Sequence, residues 1–180
     1  MFICAGEKEQ FSFALPMGIG MVDVAINLTR LCVNQKPKFI FFVGTAGSYG
    51  EKKIFDIIHS NSASNIENSY FSHQSYTPID NSVSTSEDIS KDIIVNSSNY
   101  ITTDKEVAKN YIEKNIHLEN MEFYSVLKVA KSFGIPVAGV FIVTNYCDEN
   151  AHRDFLANHK EAMSRLSEYI KNLGHASQSS

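Results

Sequence analysis

The sequence predicts an α/β domain with a mixed, largely parallel central sheet flanked by helices, and two observations carry that expectation. Residues 39–43 and 137–143 are apolar on both faces, as strands are in the middle of a sheet covered on both sides. Each follows a stretch with helical spacing of apolar residues, 21–34 and 121–133, and a long amphipathic stretch closes the chain. At 180 residues, 20.1 kDa and 43% hydrophobic content the chain suits one core. The expected organisation is a single domain over 1–174 with a frayed tail at 175–180.

From the N-terminus, residues 2–5 and 11–15 read as short strands joined by the polar turn Gly6-Glu7-Lys8-Glu9, hence a hairpin. Met17-Gly18-Ile19-Gly20 breaks the strand pattern. In the helix that follows, Val22, Ala25, Ile26, Thr29 and Cys32 fall on one side, and Lys36-Pro37 ends it. The strand 39–43 exits into a glycine-rich loop, 44–50, and 54–58 is another strand. Seven of the residues 60–69 are Ser or Asn, which predicts a loop. Polar sequence continues to Asp92, with Tyr70, Phe71 and Tyr76 as either loop anchors or contacts to another surface. Residues 93–95 form a short strand, and Asp104 caps a helix through Lys114. In the helix 121–133 the buried stripe is Met121, Tyr124, Leu127 and Ala130 or Val129, and Gly134-Ile135-Pro136 ends it. After the strand 137–143, Thr144 to Asp148 form its exit loop. In the last helix Phe155, His159, Ala162, Leu166, Tyr169 or Ile170 and Leu173 make the apolar stripe, with Gly174 as the stop.

Composition excludes several functions. Lys+Arg 16 against Asp+Glu 20 gives a net charge of -4, and only three arginines occur, Arg30, Arg153 and Arg165. No basic block offers a phosphate backbone a seat, so no nucleic-acid partner is expected. No apolar run approaches the ~20 residues that span a bilayer, so no membrane partner is expected. The N-terminus lacks the basic flank and apolar stretch of a signal peptide, and Cys4, Cys32 and Cys147 are too scattered for a disulfide framework. A reduced, cytoplasmic protein is the simplest expectation. The six histidines show no metal-ligand spacing, and GxxxxGK[ST] and GxGxxG are absent.

In such sheets ligands collect outside the carboxyl ends of the strands, here the loops at Gly18-Ile19-Gly20, 44–50 and 144–148. Glycines let backbone N–H groups approach an anion, and a helix starting after Gly20 adds partial positive charge. Asn145 carries a carboxamide that either reads a base edge or carbonyl, or caps a loop. Glu122, near a helix start, either grips paired hydroxyls or complements the helix N-terminus.

Taken together these segments resemble the nucleoside phosphorylase family that also contains methylthioadenosine/S-adenosylhomocysteine nucleosidase. Met17-Gly18-Ile19-Gly20 is similar to its SGIG turn, and Lys36 through Ser48 to KPDxIINTGSAGG. Asn96-Ser97-Ser98-Asn99-Tyr100-Ile101 sits at SGDxFI, Asn120-Met121-Glu122 at EME, and Pro136 through Phe155 at PFxxVRxISDxAD…H…F. The resemblance implies the three-layer phosphorylase fold. It places Glu122 and Met121, with Asn120, at the ribose, and Tyr100 and Ile101 at the base. Gly18, Thr45, Ala46 and Gly47 would face the phosphate or nucleophile, and Asn145 the purine near N7.

The departures shape the expectation. Asn145 stands where this branch carries a catalytic Asp, and Thr144-Asn145 resembles instead the TN of trimeric purine nucleoside phosphorylases, which act on 6-oxopurines. Asn120 replaces the first Glu of EME, and Phe42 and Phe141 replace family arginines. The family's first strand and helix look missing, and Glu7 and Glu9 do not match the nucleosidases' catalytic Glu. The expected function is phosphorolysis of inosine or guanosine, with Asn145 and Glu122 as principal residues and inorganic phosphate as co-substrate rather than any cofactor. The competing expectation is a degraded member that binds a nucleoside or acts as an interaction module. The exposed edge and the aromatic-dotted 60–80 segment point to a homo-oligomer, most simply a dimer.

Overall fold

The computed structural model describes residues 1–85 and 92–176, and it is the expected α/β arrangement. Its centre is the parallel pair β3 (Ile40–Ser48) and β9 (Val137–Tyr146), in register from Ile40↔Val137 to Ala46↔Val143. β1 (Phe2–Cys4) pairs parallel with β3, and β2 (Leu15–Pro16) pairs parallel with β1. On the other side β4 (Ile57–Ser60) runs antiparallel to β9. The carboxyl end of β3 also pairs antiparallel with β8 (Ile116–Glu119), which leads on to β7 (Ile94–Asn96), β5 (Ser62–Ser64) and β6 (Ser82–Ser84). β3 therefore joins two sheet branches at its carboxyl end, and the site forms there.

Alternation along β3 separates two cores. Phe42 faces the layer of α1 (Gly20–Gln35) and α4 (Phe123–Ser132), with Leu28, Phe123 and Leu127. Val43 faces Ala162, Leu166 and Ile170 of α5 (Ala151–Ala176). α2 (Asn68–Phe71) is a single turn, and α3 (Lys105–Glu113) starts on Asp104, whose carboxylate accepts from the N–H groups of Glu106 and Val107 as its capping role requires.

Several expectations change. Residues 2–16 are not a hairpin: β1 and β2 are parallel, because residues 6–14 make a crossover that returns alongside. β1 also covers the edge of β3 that was expected to be exposed. The glycine-rich segment 44–48 continues β3 instead of leaving it, and Thr144 to Tyr146 continue β9. In α1 the buried face is Val24, Leu28, Leu31 and Cys32, while Val22 and Ile26 face outward, since the apolar spacing admits either stripe. Residues 62–64 are a buried strand rather than a loop. Their serines satisfy one another across strands, Ser62 Oγ to Ser84 Oγ at 2.8 Å and Ser64 Oγ to Asn96 Oδ1 at 2.8 Å, so no apolar alternation was there to read. Helix α5 passes Gly174 and reaches Ala176; the rest of the proposed tail, 177–180, lies outside the described residues.

Candidate active site

A cavity of about 360 Å³ opens at the carboxyl ends of β3 and β9, a volume suited to a small organic ligand. It gathers Thr45, Ala46 and Gly47 from β3, Asn120, Met121 and Glu122 from the start of α4, and Asn145 from β9. Ile101 lines it as well. Two predicted residues lie elsewhere. Gly18 is not part of the lining, and its N–H donates to the Ala5 carbonyl at 2.8 Å. Tyr100 is 78% exposed and outside the lining.

The cavity's polar floor is a pair of carboxylates on separate supports. Glu122 is 4% exposed, and its Oε1 accepts the Gly20 N–H at the start of α1 at 2.8 Å. Gly20 holds φ +78, and a Cβ there would sit 3.0 Å from Asn99 Oδ1, so glycine is what brings that amide to the carboxylate. Glu9 reaches the same cavity from the 6–14 crossover, where its oxygens accept the Thr45 N–H at 3.2 Å and the Thr45 hydroxyl. Burial pushes the Glu122 carboxyl up to about 7, and the neighbouring Glu9 charge pushes the same way. Burial also raises Glu9, against the two Thr45 donors that pull it down.

Asn145 is placed by a bulge. The β3–β9 register shifts between Ala46 and Gly47, so Gly47 lies opposite Asn145 with Thr144 as the extra residue. The Asn145 amide is then oriented from both ends: Oδ1 accepts from the Thr144 hydroxyl at 2.9 Å, and Nδ2 donates to the Tyr146 carbonyl at 3.0 Å. One N–H of Nδ2 remains for a ligand. Gly47 leaves the room, since a Cβ there would lie 3.1 Å from Asn145 Nδ2 and 2.9 Å from Cys147 Sγ. Gly47→Ala is expected to shift that amide and lower turnover roughly tenfold or more while the chain stays folded, as misplacement of a positioning group does. Unchanged turnover, with circular dichroism confirming the fold, would contradict this.

Sequence reasoning missed three groups here. Glu9 is the foremost, corrected from a turn residue to a cavity carboxylate; the signal available was its place after a short apolar strand. Glu119, 7% exposed, also lines the cavity but is occupied by Thr102 N–H at 2.9 Å, the Thr102 hydroxyl at 2.5 Å and Tyr49 OH at 3.1 Å. Phe155 and His152 of α5 close one wall. Among the described residues Lys8 is the one Lys or Arg in the lining. Phe42 and Phe141, standing for family arginines, are fully buried and pack with Phe123 at ring distances of 5.8 and 5.0 Å. Among the described residues no group of three His, Cys, Asp or Glu is arranged for a metal ion, and no helix is long and apolar enough to cross a membrane.

The sequence family described as the Phosphorylase superfamily matches residues 5–173, nearly the whole chain. The chain belongs to the phosphorylase superfamily. No curated protein sequence matches it. Among solved structures, a futalosine hydrolase mutant of Helicobacter pylori superposes with a TM-score of 0.80 at 17% identity, covering 97% of each chain. A Helicobacter pylori nucleosidase mutant holding 5′-methylthioadenosine in its active site gives 0.76 at 19% identity, over 91% of this chain and 79% of that one. The Streptococcus pneumoniae 5′-methylthioadenosine/S-adenosylhomocysteine nucleosidase, with a transition-state inhibitor, gives 0.74 at 13% identity, over 94% and 95%. At these identities the likeness is one of fold: a mixed α/β superfamily architecture, with a mostly parallel central sheet flanked by helices.

Proposed function

We propose that this superfamily member cleaves the N-glycosidic bond of a purine nucleoside, with water as the nucleophile. The observation that carries the choice of water is the charge of the cavity. Glu9 and Glu122 both line it, and among the described residues Lys8 is the lone Lys or Arg in the lining. A phosphate dianion would meet two carboxylates there without the arginine that phosphate recognition favours. Water, in contrast, needs a base, and Glu9, whose carboxyl burial pushes above its ordinary value, is suited to that task.

In this reading Glu122 accepts the ribose hydroxyls and Asn145 donates its free N–H to the purine near N7. Glu9 takes a proton from a water as that water's oxygen bonds to C1′ and the C1′–N9 bond breaks. Asn145 has no proton to give, so the base departs as a hydrogen-bonded anion and is then protonated from solvent. That favours 6-oxopurines, whose anions spread charge onto O6, and matches the substrate class that Thr144-Asn145 implies. The electrostatic work lies in stabilising the departing base.

The test is base release from inosine, guanosine, adenosine and methylthioadenosine, each with and without phosphate. Phosphate-independent release of hypoxanthine or guanine supports the proposal. Release that requires phosphate would overturn the choice of nucleophile and restore the phosphorylase expectation. No release, with a thermal shift on adding nucleoside, would identify a binding protein on this fold.

The mouth of the cavity also favours a homo-oligomer, most simply a dimer. Ile19, Val22 and Ile26 are exposed at helical spacing, and Ile19 and Ile101, both exposed, also line the cavity. A single-chain mass by light scattering at working concentration would contradict it.

A further inference from the structure

Asn120 was expected at the ribose, yet its hydrogen bonds run into the protein. It is 6% exposed. Its Nδ2 donates to the Thr45 carbonyl at 3.1 Å, and its Oδ1 accepts the N–H groups of Glu122 at 2.9 Å and Phe123 at 3.0 Å. Both lone-pair directions of Oδ1 are thus used, and one N–H of Nδ2 is left over. The two residues it links are the two that matter for the cavity's charge. Thr45 holds Glu9 through its own N–H and hydroxyl, and Glu122 follows Asn120 by two residues. The chain Glu9–Thr45–Asn120–Glu122 therefore ties the carboxylate carried by the 6–14 crossover to the carboxylate at the start of α4.

We propose that Asn120 is the positioning residue of this site, a neutral brace that fixes Glu9 and Glu122 relative to each other and that must be an amide for both to share one cavity. The amide donates to Thr45 O and accepts from the two N–H groups at once, which an ionised carboxylate of the same shape cannot do. A carboxylate in its place would turn an oxygen toward the Thr45 carbonyl and bring a further negative charge to the same floor. The aspartate side chain has nearly the same shape, so the comparison isolates charge and donor capacity from packing.

The other ionisable groups facing Glu9 and Glu122 do not offset such a charge. Glu7 and Glu119 are acidic, His152 lines the wall on α5, and among the described residues Lys8 is the only Lys or Arg in the lining. An added carboxylate at 120 therefore makes protonation of Glu9 and Glu122 easier. Both effects have one sign: in Asn120→Asp the acid-side limb of activity moves to higher pH, because the base must lose its proton against more negative charge.

The inference rests on the proposed cleavage for its activity arm only, and a second arm is independent of it. Wild type, Asn120→Asp and Asn120→Ala are compared by base release across pH 5–9 and by thermal unfolding over the same range. In the activity arm both variants lose on the order of 10²-fold in turnover, as slight misplacement of reacting groups does, and only Asn120→Asp moves the acid limb upward. In the unfolding arm the fall of Tm with rising pH extends to higher pH in Asn120→Asp and not in Asn120→Ala. If wild type releases no base, the cleavage reading fails and the unfolding arm alone decides the brace. An Asn120→Asp protein whose unfolding profile has the wild-type pH dependence would overturn the inference. So would Asn120→Asp activity at the wild-type level.

Discussion

Glu9→Gln is expected to lower phosphate-independent base release by about 10²–10⁴-fold, the range a lost general base costs. The substitution keeps size: the Gln carbonyl can accept the Thr45 N–H and its amide N–H can donate to the Thr45 hydroxyl oxygen, so the 6–14 crossover stays in place. What is lost is the ability to take a proton. Nucleoside affinity should change little, because the ribose is assigned to Glu122 and the base to Asn145. A Glu9→Gln enzyme with wild-type turnover would exclude Glu9 as the base.

Glu122→Gln is the second large effect, and it acts in opposite directions on activity and stability. Replacing a charged acceptor of ribose hydroxyls by a neutral one should cost about a hundredfold in base release, since hydrogen bonds to charged groups contribute roughly 1.5–3 kcal/mol each. Stability should rise. The folded-state carboxyl lies at about 7 against an ordinary 4.5, raised by burial first and by Glu9 second. The folded protein therefore binds the proton more tightly than the unfolded chain. The contribution of Glu122 to stability is greatest below about pH 4.5, declines as pH rises to about 7, and stays lowered above it, by up to about 3 kcal/mol. Glu122→Gln removes that decline and should unfold at higher temperature than wild type at pH 8, with little difference at pH 5. Equal pH dependence of the two proteins would contradict the burial argument.

The fold was legible where apolar pattern and burial coincide. Residues 39–43 and 137–143 were readable as central strands, because Phe42 and Val43, and likewise Phe141 and Ile142, are buried on alternate faces. Strands β5 and β6 were not, because a serine strand that satisfies its hydroxyls across the ladder has the composition of a loop. Glu122, Asn145 and Thr45, singled out by motif resemblance and strand-end position, do line one cavity. Glu9 was hidden for a topological reason. Two short strands with a polar connection look like a hairpin, and only the parallel pairing of β1 with β2 turns residues 6–14 into a crossover that carries an acid over the end of β3. Asn120 looked like a weakened ribose ligand because spacing cannot show which way an amide's bonds run.

Charge links these residues. In the proposed reaction, the cavity that holds Glu9, Glu122 and the oriented Asn145 amide takes a neutral nucleophile and a leaving group that departs negative. The sugar product tests this most directly. Wild-type protein is incubated with inosine in heavy-oxygen water containing phosphate, and the sugar is separated and weighed by mass spectrometry. The account predicts free ribose that carries the heavy oxygen at C1, formed at the same rate whether or not phosphate is present. Ribose 1-phosphate as the product, without label from the solvent, would contradict it.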